Sequence, residues 1–286
     1  FEQQKNILHK GKSKVENGLF THSFTMPKDI AYNYGYGKLS YYAYSDSIDA
    51  GGYCNNFVVG GIDTSVVIEQ TRPLVRVYIG DSNFHSGGIT NENPELFAII
   101  SDNIAINTVG SGLGHDITAT LDNAANVFIL NDYFVQDDIN PNKGYITFPF
   151  TQLNPGEHTL TIKAWNIFNF SSSETITFNV ILKETETFAN LKNYPNPFRN
   201  TTNFFLEHNQ NEEIVSGEIH IFNTTGMRVK TIKVNNPSKG YTLGPIEWNG
   251  TTDGGQKLQS GIYIYRMLIN KTNSKEYTNS QKLVIF

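Results

Sequence analysis

The chain has 286 residues, more than one small sandwich needs, and this length predicts two or three domains. Its 38% hydrophobic and 13% aromatic residues suffice for packed cores, while a charged fraction of 17% is too low for a disordered chain. Net charge is −5 with no cluster of Lys and Arg, so the basic footprint that phosphate backbones demand is missing and nucleic acid is excluded as a partner.

A single cysteine, Cys54, excludes an internal disulfide and a thiolate metal cluster. No apolar run reaches the roughly 18–20 residues of a membrane helix, so no transmembrane segment is expected. Phe1 stands in a polar stretch rather than before an apolar signal core, and the sequence is expected to start within a longer protein.

From the N-terminus onward, period-two alternation dominates and no helix of about ten residues or more is expected. Between Leu19 and Met26, the residues Phe20, His22, Phe24 and Met26 fall on one face and Thr21, Ser23 and Thr25 on the other, which predicts a half-buried strand. The same pattern sets Ile117, Ala119 and Leu121 against Thr118 and Thr120, then Leu160, Ile162 and Ala164 against Thr159, Thr161 and Lys163, then Ile176, Phe178 and Val180 against Thr175, Thr177 and Asn179. Clusters of Gly, Asn, Asp and Pro separate these segments, as in antiparallel sandwiches. The predicted fold is all-β: three consecutive antiparallel β-sandwich (Ig-like) domains, the first incomplete.

Residues 1–64, rich in tyrosine at Tyr32, Tyr34, Tyr36, Tyr41, Tyr42 and Tyr44, are expected to be the C-terminal part of a sandwich. Residues 65–183 carry about seven strands, the size of an Ig-like domain. Lys183 to Thr187 is polar and holds a linker, 184–187, before a third block at 188–286. Pro195 and Pro197 are expected to hold the start of that block extended, since each fixes φ and biases the preceding residue away from helix.

The third block opens with Asn193-Tyr194-Pro195-Asn196-Pro197-Phe198 and continues through Ile221-Phe222-Asn223-Thr224-Thr225-Gly226, Trp248-Asn249-Gly250 and Ser260-Gly261-Ile262-Tyr263-Ile264-Tyr265-Arg266. It closes on Gln281-Lys282-Leu283-Val284-Ile285-Phe286. In this order the motifs resemble the C-terminal sorting domain by which the type IX secretion system of Bacteroidetes recognises its cargo. Upstream, Pro27 to Gly35, Gly37 to Ala43, Ser111 to Ala119, Leu130 to Phe134 and Gly156 to Trp165 resemble segments that follow the catalytic domain in gingipain-like C25 cysteine peptidases, the sortases of that system. The resemblance implies a secreted, outer-membrane-associated peptidase at the cell surface that removes sorting domains from cargo and helps join the cargo to anionic lipopolysaccharide. It implies that the peptidase's own sorting domain docks on an outer-membrane β-barrel and other components of the attachment complex. The catalytic Cys/His domain would lie N-terminal to these residues, so the chain is expected to be its non-catalytic stalk and targeting region.

The docking residues expected are Gly261, Lys282, Leu283, Val284, Ile285 and Phe286, with Tyr194, Pro195, Asn196, Pro197 and Phe198 as a lead-in motif. Alternation gives way at Leu283-Val284-Ile285-Phe286 to a continuous apolar run, which needs cover on both faces. A partner is expected to supply that cover, at roughly 3–6 kcal/mol for two such side chains before association entropy is subtracted. Deleting 283–286 is therefore expected to leave the rest of the third block folded. Gly226 and Gly261 are expected at turns or at crowded backbone. No catalytic residue, cofactor or metal site is assigned.

Other residue clusters have bland readings that outweigh sharper ones. Cys54 lacks a cysteine-peptidase motif around it and is expected to be a buried small residue at a strand start. Gly110-Ser111-Gly112-Leu113-Gly114-His115 has no helix after it to present N–H groups to a phosphate, so it reads as a turn. His115, Asp116, Asp102 and Asp122 could meet at strand ends around a metal, and Asp137 to Asn142 has the oxygen density of a calcium loop without EF-hand spacing; turn capping and a solvated hairpin loop are the simpler readings. His22 and His158 share parity with apolar positions and are expected to be hydrogen-bonded core or rim residues. Trp165 and Trp248 are expected to be core plugs rather than sugar platforms. The rival function is the tail of another type IX cargo, an adhesin or a carbohydrate-binding module.

Overall fold

The computed structural model describes residues 7–9, 11, 13–26, 34–61, 70–109, 114–123, 126–137, 139–211, 214–237, 240–271 and 273–286. The described residues hold short strands and two 3-10 turns, with no α-helix among them. Along the first block run β1 (Gly35–Tyr36), β2 (Leu39–Tyr44), β3 (Asp49–Cys54) and β4 (Val58–Val59). The middle block carries β5 (Leu74–Ile79), β6 (Gly88–Thr90), β7 (Glu95–Ser101), β8 (Thr118–Leu121), β9 (Val127–Ile129), β10 (Phe134–Gln136), β11 (Lys143–Pro149), β12 (Gly156–Trp165) and β13 (Ser171–Val180). The third carries β14 (Phe188–Tyr194), β15 (Thr202–His208), β16 (Ile214–Phe222), β17 (Arg228–Pro237), β18 (Thr242–Trp248), β19 (Gly261–Asn270), β20 (Lys275–Tyr277) and β21 (Gln281–Ile285).

Two compact units result: Phe1–Arg76 with Ala98–Thr147 and Thr161–Thr175, and Val77–Phe97 with Phe148–Leu160 and Ile176–Phe286. In the first unit, β2 and β3 form a hairpin in register Leu39↔Cys54 to Tyr44↔Asp49, and β1 pairs β4. Every residue of the hairpin is exposed, because it is a two-stranded sheet of its own. The predicted strand at Leu19–Met26 is not formed: among the described residues an isolated bridge joins Glu16 to Leu19, and 20–26 have no ladder partner. Alternation supplies a face but not the neighbouring strand that must accept its N–H groups. Residues 27–33 of the tyrosine-rich motif, and the block boundary at 64/65, lie outside the described residues.

The middle block builds two sheets, in orders β10-β11-β7-β5 and β6-β13-β12-β8-β9. Its alternation is as the sequence predicts: Ile117, Ala119 and Leu121, Leu160, Ile162 and Ala164, and Ile176, Phe178 and Val180 are all buried. His158 is buried with them and its Nε2 meets the Asn154 carbonyl at 2.7 Å, a satisfied core histidine.

In the third block, β14-β15-β18 make one sheet and β17-β16-β19-β20 another, with β21 also on β19. Phe204, Leu206, Ile219, Ile221, Leu243, Trp248, Tyr265 and Met267 meet in the core. Trp248 is the core plug expected of it, its Nε1–H donating to the Thr251 carbonyl at 3.1 Å. Gly226 closes the turn after β16 at φ 81°, a left-handed conformation that glycine adopts without penalty.

The stretch expected to be a linker begins as a 3-10 turn, Lys183–Thr185, fastened by hydrogen bonds around it. Asn209 Nδ2 donates to the carbonyls of Ile181 and Leu182, Gln210 Nε2 donates to Lys183, and the Thr187 N–H donates to Asn209 Oδ1. Asn209, Gln210 and the neighbouring His208 are buried, so these bonds are shielded from water. Burial holds the His208 imidazole down at about 4, and its Nδ1 accepts from the Gln210 N–H.

Candidate functional site

The lead-in motif and the chain end, 86 to 88 residues apart in sequence at their hydrogen-bonded pairs, are brought together. Tyr194 ends β14; residues 195–197 bend rather than run extended, with cis bonds at Tyr194-Pro195 and Asn196-Pro197. The bend is needed because β14 belongs to one sheet while Phe198 must reach β21 in the other. There Phe198 makes a parallel bridge to Ile285: its N–H donates to the Val284 carbonyl at 3.1 Å, and the Phe286 N–H donates back to the Phe198 carbonyl at 2.9 Å. Asn196 adds a side-chain clamp on the same strand. Its Nδ2 donates to the Lys282 carbonyl at 2.9 Å, and its Oδ1 accepts from the Val284 N–H at 3.0 Å. One primary amide thus satisfies a donor and an acceptor of the last strand's outer edge.

The opposite edge of β21 lies on β19, in register Gly261↔Ile285, Ile262↔Val284, Tyr263↔Leu283, Ile264↔Lys282. With both edges engaged, side chains alternate strictly. Leu283 and Ile285 point into the core, at 0% and 6% exposure, and Phe198 is buried beside them. Lys282 is exposed, Val284 half-buried, and Phe286 63% exposed. This corrects the reading of Leu283-Val284-Ile285-Phe286 as a run that only a partner can cover, because the domain itself covers Leu283 and Ile285. That reading treats the chain end as an open edge, whereas a strand paired on both sides inside a sandwich has one wet face. The apolar surface left outward is Val284 and Phe286 with Ile262, which is 47% exposed and sits opposite Val284.

Gly261 meets neither expectation for it: a Cβ there would touch nothing nearer than 4.0 Å. Tyr194 is exposed, so of the lead-in residues only Phe198 contributes to the core. Sequence reasoning misses Ile262 and the clamping role of Asn196. The parity of 262 with 284 and 286 is the available signal for the first.

The remaining candidates fall mainly to structural roles. Cys54 is exposed at the end of β3, not buried at a strand start. Residues 110–113 lie outside the described set; Gly114 adopts φ 82° and His115 packs on Trp165 with ring centroids 4.3 Å apart. Trp165 is half-buried rather than a full core plug, with Lys163 Nζ 4.3 Å over its ring. Asp102 accepts from the Asn103 N–H and from Asn166 Nδ2, at 2.7 and 3.0 Å. Asp137 sits in the β10–β11 loop, where the Tyr145 hydroxyl, the N–H groups of Asn140 and Ile139 and the Lys143 ammonium hold its carboxyl down at about 2. Among the described residues no three or more of His, Cys, Asp and Glu converge as a metal group, and no helix is long and apolar enough to cross a membrane.

Residues 193–273 match the FlgD Ig-like domain family. The match stops short of β20 and β21. Over 98% of its length the chain is similar to the crystallised dimeric latent PorU from Porphyromonas gingivalis, with 30% identity and a TM-score of 0.41. It spans about a quarter, 26%, of that chain. It is also similar to the fibronectin(III)-like modules of Clostridium thermocellum CbhA, at 11% identity and TM-score 0.26 over 74% of this chain and 93% of that one. The N-terminal Ig1-2 module of the Drosophila receptor protein tyrosine phosphatase DLAR is similar at 8% identity and TM-score 0.24, over 75% of this chain and 99% of that one. No protein of curated function matches the chain. The fold is all-β with Ig-like modules.

Proposed function

We propose that the chain is the non-catalytic stalk and docking region of a cell-surface cysteine peptidase of the type IX secretion system, with residues 188–286 as its sorting domain. The observation that carries this reading is the joining of the two ends of the sorting-type motif set. Asn196 and Phe198 lock the last strand in place and leave Lys282, Val284 and Phe286 on one outward face. The 30% identity to PorU across nearly the whole chain supports the same parentage. The catalytic domain would precede the chain, and the docking partner would be an outer-membrane β-barrel of the attachment complex. Because the outer edge of β21 is occupied by residues 196–198, docking proceeds through side chains of the outward face and not by strand addition.

The test separates docking from folding. Exported by a type IX-competent bacterium, the parent protein carrying Phe286→Asp and Ile262→Asp is expected to lose surface retention while the melting temperature of the purified chain stays within a degree or two, about the effect of changing exposed sites. Unchanged retention would remove the docking role from this face. Specific glycan binding by the chain would favour the carbohydrate-module alternative instead.

A further inference from the structure

Far from the chain end, two histidines of the first unit face one another. His9 Nε2 and His22 Nε2 are 2.7 Å apart. The surroundings fix both rings. Ser13 Oγ donates to the Thr21 carbonyl at 3.2 Å, so its lone pair is left to accept from His22 Nδ1–H at 2.8 Å. That assigns His22 the Nδ1–H tautomer and leaves its Nε2 bare. His9 lies flat against Phe24, with centroids 4.4 Å apart and planes 9° apart. Gly11 makes the room: a Cβ at that position would stand 2.4 Å from His22 Nε2 and 2.7 Å from His9 Nε2.

We propose that His9 and His22 are a two-imidazole site for a divalent transition metal of the Zn²⁺ or Ni²⁺ class, with both Nε2 atoms as ligands and Ser13 as the positioning residue behind His22. Imidazole is a preferred ligand of these ions, and a hydrogen-bonded Nδ1 is the usual device that holds a ligating ring in the correct tautomer. On binding, the single proton that His9 Nε2 now shares with His22 Nε2 moves to His9 Nδ1, which frees both Nε2 lone pairs for the ion and releases no net proton. Zn–N bonds of about 2.0–2.1 Å at a tetrahedral angle set the nitrogens about 3.3 Å apart, so the rings part by about 0.6 Å. His22 and Ser13 also line a cleft of about 690 Å³ together with Gln136 and Asp137.

The test is zinc chloride titrated calorimetrically into the tag-free 286-residue chain, repeated with nickel chloride. One ion per chain is expected. His9→Ala and His22→Ala should each abolish stoichiometric uptake, His22→Gln should do the same where a smaller side chain disturbs the fold, and Ser13→Ala should weaken affinity about 10–100-fold. His85→Ala, on a turn elsewhere, should change nothing. Uptake that is non-stoichiometric, or that survives both histidine substitutions, overturns the proposal. The same holds if the His9 and His22 ring resonances fail to shift together on adding zinc.

Discussion

Tyr42-Ala43-Tyr44 on β2 and Tyr263-Ile264-Tyr265 on β19 carry one period-two pattern and end in opposite surroundings. Tyr42 and Tyr44 are 70% and 77% exposed, whereas Tyr263 and Tyr265 are 8% and 1% exposed. Among the described residues β2 pairs with β3 alone, opposite Gly51, Gly52 and Ala50, which have little side chain to offer. β19 lies between β16 on one edge and β20 and β21 on the other, and the Phe204 ring of the second sheet meets Tyr265 edge-on at 4.9 Å. The Tyr263 hydroxyl donates to the Gln259 carbonyl, and burial pushes both phenols above their ordinary range. Alternation therefore selects a face, and the number of strands and layers around it decides whether that face is core.

The largest effect is expected from removing 283–286. Loss of Leu283 and Ile285 from the core should cost about 4–10 kcal/mol, two large-to-small core deletions, which is on the scale of a whole domain's stability. Urea denaturation followed by far-UV circular dichroism should show the third block unfolded. A third block that still melts cooperatively at the same temperature would return these residues to the surface.

Next comes a pH effect from a buried histidine of the third block. Folded His208 titrates near 4 because it is buried, below the ordinary value of 6.5 that it regains when unfolded. As pH falls, the unfolded chain takes up the proton first. Stability should thus be complete above pH 6.5 and decline by about 3 kcal/mol between there and pH 4. His208→Gln should flatten that slope; an unchanged slope would place the titration elsewhere.

Asn196→Ala removes the clamp on β21 and leaves the Val284 N–H and Lys282 carbonyl unpaired on that edge, at an expected cost of about 1–3 kcal/mol read from the urea midpoint. Asn196→Asp, which loses only the donor, should fall between wild type and alanine. Smallest of all, Tyr42→Ala with Tyr44→Ala should shift stability by less than about 0.5 kcal/mol. A larger loss would mean that the hairpin is covered in solution.

Much of the architecture is legible without coordinates. Inward residues such as Leu160, Ile162, Ala164 and Phe178 are readable from alternation alone, as are the all-β class, the turn at Gly226 and the core place of Trp248. Their environment repeats a local rule, since successive side chains in a strand must face opposite ways. The sorting-type motifs are readable too, yet their joint action is not: nothing local says that Asn196 meets Lys282 and Val284. Cys54 and Leu19–Met26 mislead for a related reason, because parity implies neither cover nor a pairing partner.

The sequence by itself determined the strand periodicity, the turn chemistry, the two motif clusters of the third block and the lack of a Lys and Arg run, all of which depend on residues close in the chain. Only the tertiary structure decided which apolar faces are core, that the bend at 195–197 delivers Phe198 to the last strand, that Leu283 and Ile285 belong inside while Phe286 does not, and that Asn209 and Gln210 fasten the stretch after Leu182. Each of these is a contact between segments far apart in sequence, where burial and hydrogen-bond satisfaction are settled by what the fold places opposite and not by the local pattern.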